Sequence, residues 1–254
     1  MFFEVKGLTK RFGGLTAVAD VSFAIAEGEI VGVFGPNGSG KTTLLNLIAG
    51  IYPPSGGRLV WQDRSLVGAR PHEIAALGIV KTFQNPQLFA ELSVAEHVLI
   101  AAHLKLKREL GLARIATLVR PARHDGVLRG QVEHVLALCR LGELRDEPAA
   151  SLSYGNEKML GVAMALMCEP KLLLLDEPAT GLGEDEIRNL DEVLRDLRAH
   201  GTTLCIIDHK VGFLGRLADR AIAMHHGSTI AEGPPAAVLA DPAVIAAYLG
   251  RGHA

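Results

Sequence analysis

One stretch, Gly35-Pro36-Asn37-Gly38-Ser39-Gly40-Lys41-Thr42, constrains the fold of this chain more than any other feature. It matches G-x-x-x-x-G-K-[ST] at every fixed position. A β-branched run, Ile30-Val31-Gly32-Val33-Phe34, precedes it and reads as a strand buried on both faces. An apolar helical pattern from Lys41 to Ala49 follows, with Gly50 placed as a C-cap glycine. Strand, glycine-rich loop and helix together make a phosphate cradle. Glycines let the backbone wrap closely, and the N–H groups at the helix start point inward. Lys41 is placed to reach β- and γ-phosphates, and the Thr42 hydroxyl to ligate Mg²⁺. The competing reading, a chance glycine-rich turn, does not account for both flanking elements.

A second signal is Leu172-Leu173-Leu174-Leu175-Asp176-Glu177. An apolar strand ends in two carboxylates, at the edge where open α/β sheets bind ligands. Asp176 is expected to hold Mg²⁺ through water, and Glu177 to act as general base on the attacking water. Alone, the pair reads as two capping acids; beside a phosphate loop it reads as catalytic. These two motifs do not choose among GTPases, kinases, helicases and transport ATPases. A guanine-reading Asn-Lys-x-Asp is absent from the sequence.

The rest of the chain frames these motifs. At 254 residues it fits one α/β domain with a modest insertion. With 26 Lys and Arg against 28 Asp and Glu, the formal net charge is −2, which gives no footprint for nucleic acid. Mean hydropathy is +0.24, yet no apolar run reaches the roughly 18 residues a spanning helix needs. The opening Met-Phe-Phe-Glu-Val-Lys lacks a signal-peptide pattern, so a cytoplasmic chain is expected. Cys139, Cys168 and Cys205 lack metal spacing, and Cys168 and Cys205 read as buried thiols. His225 and His226, as neighbours on a strand, are expected on opposite faces.

Strands are predicted over Phe3–Leu8 and Ala17–Ile25. From Ser93 to Leu141 the pattern turns helical, opened by a Ser93/Glu96 capping box. Within it, 105–129 carries seven Lys or Arg against two acids, read as a solvated face. Strand and helix then alternate again. Lys171–Asp176 and Thr202–Ile207 are strands, and Glu184–His200 is a helix with Ile187, Leu190, Leu194 and Leu197 on one face. Residues 236–249 form a helical tail broken at Asp241-Pro242.

Between the two motifs lies Leu152-Ser153-Tyr154-Gly155-Asn156, opening a helix to about Met167. Leu-Ser-x-Gly upstream of a strand ending in Asp-Glu resembles the signature of the ATP-binding-cassette (ABC) family. The remaining elements occur in family order: Gln84 in Thr82-Phe83-Gln84-Asn85, His209 after Ile207-Asp208, and Phe12 upstream. The resemblance covers essentially the whole chain. It implies an α/β phosphate-loop fold, with a mixed sheet, an antiparallel β subdomain and a helical insertion. The nucleotide-binding core is 1–84 and 165–254, and the helical part 85–164. The implied ligands are ATP and Mg²⁺. ATP is expected on Gly35, Asn37, Gly38, Ser39, Gly40, Lys41, Thr42 and Thr43, with Phe12 stacking on adenine. A second subunit's ATP is expected on Ser153 and Gly155. Thr42, Gln84 and Asp176 would hold the metal, and Glu177, His209 and Gln84 carry catalysis.

Within the family, Lys10-Arg11-Phe12-Gly13-Gly14-Leu15-Thr16-Ala17-Val18, Gly78 to Gln84, the insertion after His103 and the ending Ala247-Tyr248-Leu249-Gly250 look like the ATPase subunits of branched-chain amino acid importers. Urea-importer ATPases are near neighbours. The resemblance implies a pair of ATPase subunits, separate permeases, an indirect solute-binding protein and a peripheral place on the cytoplasmic side of the inner membrane. A soluble non-transport ABC ATPase and a weakly hydrolysing regulatory subunit are the alternatives. Some positions depart from the pattern. Asn156 shortens the usual Gln, and Tyr154 replaces a glycine. Glu157-Lys158-Met159-Leu160 replaces an arginine-rich stretch and puts polar support of the signature helix in question. Gly183 stands where Asp or Asn is usual and is expected to loosen the backbone.

Overall fold

In this computed structural model the described residues are 1–84, 86–110 and 124–249, with the side chains of 103–110, 124, 125 and 127 outside the description. Most of the basic run at 105–129 therefore lies outside it.

Two sheets carry the fold. The smaller is built on a hairpin of β1 (Phe3–Phe12) and β2 (Leu15–Ile25), with β4 (Gly56–Trp61) and β5 (Arg64–Ser65) added in the order β2-β1-β4-β5. All its pairings are antiparallel. The hairpin runs past the predicted ends, to Phe12 opposite Leu15. Apolar alternation fades at Thr9, Lys10 and Arg11, but the backbone ladder continues around a tight turn. Hydrophobic pattern marks only the buried half of such a ribbon.

The larger sheet holds β3 (Ile30–Phe34), β6 (Ile79–Lys81), β7 (Leu172–Asp176), β8 (Thr203–Ile207), β9 (Arg220–His225) and β10 (Ser228–Gly233), in the order β10-β9-β3-β8-β7-β6. Its pairs are parallel except β9 with β10. Side chains alternate between two cores. Leu172, Leu174, Cys205 and Ile207 face α1 (Lys41–Ile48) and the antiparallel sheet. Leu173, Leu175, Leu204 and Ile206 face a layer that includes α5 (Tyr154–Leu166), α6 (Glu184–Ala199) and α7 (Val211–Leu217). All eight are fully buried, so the strands read as unbroken apolar runs.

Helices α3 (Val94–Leu110) and α4 (His124–Leu138) pack with α5. The Ser93 box closes in both directions: Ser93 N–H donates to Glu96 Oε2 at 2.8 Å, and Glu96 N–H to Ser93 Oγ at 3.2 Å. Helix α2 (Pro71–Ala76) precedes β6. The tail divides at Asp241 into α8 (Pro235–Leu239) and α9 (Pro242–Leu249). Among the described residues no helix is long and apolar enough to cross a membrane.

Two expectations need correction. The rings of His225 and His226 do not diverge; their centroids lie 4.0 Å apart. His226 has left β9 and turns with φ +47°, which cancels strand alternation. Cys168 is only half-buried, because it follows the end of α5 rather than lying within an element.

Burial pushes the thiols of Cys139 and Cys205 up to about 12. At pH 8 roughly 1 in 10⁴ of each is then thiolate. Native protein is expected to react with at most one equivalent of a thiol-specific disulfide reagent, and with three after denaturation. More than one equivalent in the folded state contradicts this packing.

Candidate nucleotide site

Strand register assembles the site. Ile207 pairs with both Val33 and Asp176 across parallel ladders. The loop after Phe34, the Asp176-Glu177 pair and Asp208-His209 therefore leave the sheet at one edge, where parallel α/β sheets place ligands. They surround a cavity of about 990 Å³ walled by the loop, Gln84, Glu177, Thr180 and His209.

The loop is pressed tightly into place. Gly40 has φ +101°, and a Cβ there would lie 2.3 Å from the Ala17 carbonyl. At Gly35 a Cβ would lie 2.1 Å from the Met224 carbonyl. Lys41 is buried, and its Nζ donates to the carbonyls of Gly35 at 2.8 Å and Pro36 at 3.0 Å. Gly35, Asn37, Gly38, Gly40, Lys41, Thr42 and Thr43 all reach the wall. Ser39 does not: it is buried, and its carbonyl accepts from Gly227 N–H at 3.0 Å.

Asp176 lies behind the wall and is almost fully buried. Thr42 Oγ1 donates to its Oδ1 at 3.4 Å, while Lys81 Nζ pairs with Oδ2 at 2.9 Å. Glu177 is the hub of the edge. It holds a left-handed conformation, φ +51°. Its N–H donates to the Ile207 carbonyl at 2.8 Å. Its Oε2 accepts from Gln84 Nε2 at 3.0 Å and lies 3.3 Å from Thr180 Oγ1. Thr180 Oγ1 is also 3.3 Å from His209 Nδ1, which stands 4.0 Å from Glu177 Oε2. Asp208, fully buried, accepts from Ala179 N–H and Lys210 N–H, both at 2.8 Å, and so fastens the turns after β7 and β8 together.

The signature helix supplies its own polar support. Lys158, 8% exposed, donates from Nζ to the Glu177 carbonyl at 2.8 Å. Burial pushes its ammonium below the ordinary lysine value, with Asp208, Glu177 and Asp176 pulling it back up and Lys210 adding to the fall. One lysine thus replaces the support expected from arginines. Ser153 is the N-cap, its Oγ accepting from Asn156 N–H at 3.3 Å. Gly183 is not loose: φ is −72°, and its N–H donates to Glu186 Oε2 at 2.9 Å, closing the start of α6. Ser153 and Gly155 do not line the main cavity.

Phe12 is also outside the cavity wall, where Leu15, Thr16 and Ala17 stand instead. It is 42% exposed at the hairpin end, edge-on to Tyr52 at 5.3 Å and with Lys10 Nζ 4.9 Å from its centroid. It is not a core residue. Sequence reasoning gave no role to Thr180, His226 or Tyr248, all of which line the cavity, nor to Lys81 behind it. Tyr248 sits in the quoted ending Ala-Tyr-Leu-Gly. Its phenol is pushed up by burial, opposed by a hydrogen bond to the Gly35 backbone. Thr180 and His226 are single residues in turns, and Lys81 ends a three-residue strand, so none carries a pattern.

A parallel sheet whose edge joins a phosphate loop to an Asp-Glu pair defines a phosphate-loop nucleotide hydrolase. Within that class, residues 18–180 match the family described as ABC transporter, and residues 228–254 match the one described as branched-chain amino acid ATP-binding cassette transporter. The chain is 39% identical over 251 residues to the high-affinity branched-chain amino acid transport ATP-binding protein LivG of Salmonella typhimurium, covering 97% of each. It is 36% identical over 249 residues to BraF of Pseudomonas aeruginosa, another protein of that description, covering 98% of this chain and 97% of that one. A crystal structure of a nucleotide-free ATP-binding cassette from an ABC transporter superposes with TM-score 0.85 at 29% identity, covering 98% of this chain and 99% of that one. The ADP conformation of another such cassette gives 0.84 at 31%, with 98% and 99% covered. The chain belongs to the ABC transporter family, in its branched-chain amino acid importer group, and is an ATP-hydrolysing transporter subunit.

Gly40→Ala forces a side chain into a left-handed backbone against a carbonyl. Nucleotide affinity is expected to fall at least about tenfold, or ~1.4 kcal/mol, in a fluorescent-nucleotide titration. Affinity within twofold of wild type contradicts the loop geometry.

Proposed function

We propose that this chain energises solute import by binding and hydrolysing MgATP through Lys41, Thr42, Asp176, Glu177, Gln84 and His209. The observation that carries the reading is Glu177: its carboxylate opens on the cavity that holds Lys41 and Thr42, and Gln84, Thr180 and His209 converge beside it. Lys41 takes the β- and γ-phosphates in place of the loop carbonyls it now holds. Glu177 accepts the proton of the attacking water, and His209, near Thr180, steadies the γ-phosphate.

Thr42 and Asp176 offer hard oxygen donors 3.4 Å apart beside that cavity, with the Gln84 amide close by, which fits Mg²⁺. When bound, Mg²⁺ would neutralise phosphate charge and orient the nucleotide's phosphates. Phe12 stacks on adenine at the exposed hairpin end, next to the cavity wall formed by Leu15. Ser39 contributes through its backbone within the loop.

Ser153 and Gly155 lie off the cavity of their own chain, which supports a head-to-tail pair of ATPase subunits, each completing the other's site. Permeases then dock on the helical part, 85–164, of a core formed by 1–84 and 165–254. The relatives are branched-chain amino acid transport proteins by name, and those solutes are the proposed cargo. A solute-binding protein outside the membrane acts indirectly, and the ATPase sits peripherally on the cytoplasmic face of the inner membrane.

Glu177→Gln is expected to cut phosphate release by about 10²–10⁴ while ATP still binds. Lys41→Ala is expected to weaken ATP binding itself. Wild-type turnover by the Glu177 variant removes it as the base. Import of labelled branched-chain amino acids by vesicles holding the chain with its permeases tests direction and cargo together; uptake independent of ATP refutes the coupling.

A further inference from the structure

We propose that Lys158 is a positioning residue for hydrolysis: it holds the left-handed Glu177 peptide and ties it to the helix that carries Ser153 and Gly155. The inference rests on the ATPase reading above.

Glu177 needs an external hold. A non-glycine residue at φ +51° is not at its preferred conformation, and it persists where surrounding bonds fix it. Its N–H side is fixed by the β8 carbonyl of Ile207 at 2.8 Å. Its C=O side is shared between Thr180 N–H at 3.3 Å, a long turn bond, and Lys158 Nζ at 2.8 Å. The ammonium makes the shorter, charge-assisted bond. If Lys158 is lost, only the long Thr180 bond holds the carbonyl on that side, so the peptide is less constrained and the carboxylate moves with it.

The lysine is also placed to transmit motion. Gly155 and Lys158 are three residues apart on α5, so they share a helix face. Both line a narrow crevice with Thr82, Gln84 and Asp176. The head of α5 is not part of its own nucleotide cavity's wall, while its second turn bonds Glu177, which is. A shift of α5 on engaging the partner's nucleotide pulls directly on the Glu177 carbonyl. The groups around the ammonium suit a retained cation: Asp208, Glu177 and Asp176 are opposite in sign, and Lys210 is the like charge.

The test uses the full chain, with ATP affinity and steady-state turnover measured on the same preparations. Lys158→Met keeps the length and apolar stem but removes the donor. Its kcat is expected to fall about 10- to 100-fold, with ATP affinity within about twofold of wild type. Lys158→Arg, which restores a charged donor, is expected to recover turnover to within about fivefold. In the Glu177→Gln background, Lys158→Met is expected to cost nothing further. Wild-type turnover by Lys158→Met, an equal loss in affinity and kcat, or a full additional loss in the Glu177→Gln background overturns the proposal. If Lys158→Met does not fold, Lys158→Gln and Lys158→Arg decide. Arginine is expected to outperform the neutral, shorter glutamine in kcat at equal affinity, and equal kcat overturns the assignment. Wild-type turnover by Glu177→Gln alone instead defeats the underlying ATPase assignment, so the two failures are distinguishable.

Discussion

Parallel pairing of β3, β8 and β7 is the constraint on which the site depends. Ile207 is the common partner of Val33 and Asp176. Once those ladders are in register, the phosphate loop, the acid pair and the Asp208-His209 turn have only one edge at which to emerge. The register is itself fixed by burial. A slip of one residue would exchange Leu172 and Leu174 with Leu173 and Leu175 between two differently shaped cores. Packing far from the nucleotide thus sets distances of a few ångströms at it.

Electrostatics then decides which groups at this edge are held and which remain available. Asp176 is buried against Lys81 on one oxygen and Thr42 on the other. Asp208 gives both oxygens to backbone N–H groups. Glu177 differs: among the described residues its carboxylate is hydrogen-bonded by Gln84 and Thr180, with His209 Nδ1 at 4.0 Å. Glu177 is the one of these three acids that faces the cavity, and Lys158 bonds its carbonyl rather than its carboxylate.

Much of this was legible in the sequence. The strand–loop–helix unit, the Leu172–Glu177 strand with its terminal acids, the Ser93 box and the break at Asp241-Pro242 all involve local pattern, and all stand close to where they were expected. Contacts made across the fold carry no such pattern. Lys81 belongs to a three-residue strand and meets Asp176 only through the β6–β7 ladder. Thr180, His226 and Tyr248 reach the cavity from turns and from the last helix. In the sequence Lys158 stands only for the loss of an arginine-rich stretch, because a sequence records which residue is missing but not which neighbour replaces its bond. The His225-His226 error has the same source: alternation holds only while the backbone stays extended, and His226 does not.

The departures around the signature can be weighed in these terms. Asn156 uses its backbone N–H to satisfy the Ser153 cap, a bond indifferent to its side-chain length. Gly183 begins α6 at φ −72°, a conformation any residue adopts, and its N–H is held by Glu186. The other oxygen of that same carboxylate lies over Gly155, 2.3 Å from where a Cβ would stand. Glu186 therefore joins the starts of α5 and α6, and the bare Cα of Gly155 is what leaves room for it. The changes shorten one half-buried side chain, at Asn156, and remove one at the exposed Gly183, while the backbone bonds that shape the two helix starts persist. In the paired site proposed above, the signature's part falls to a helix N-terminus and a glycine rather than to long side chains, and both are kept here.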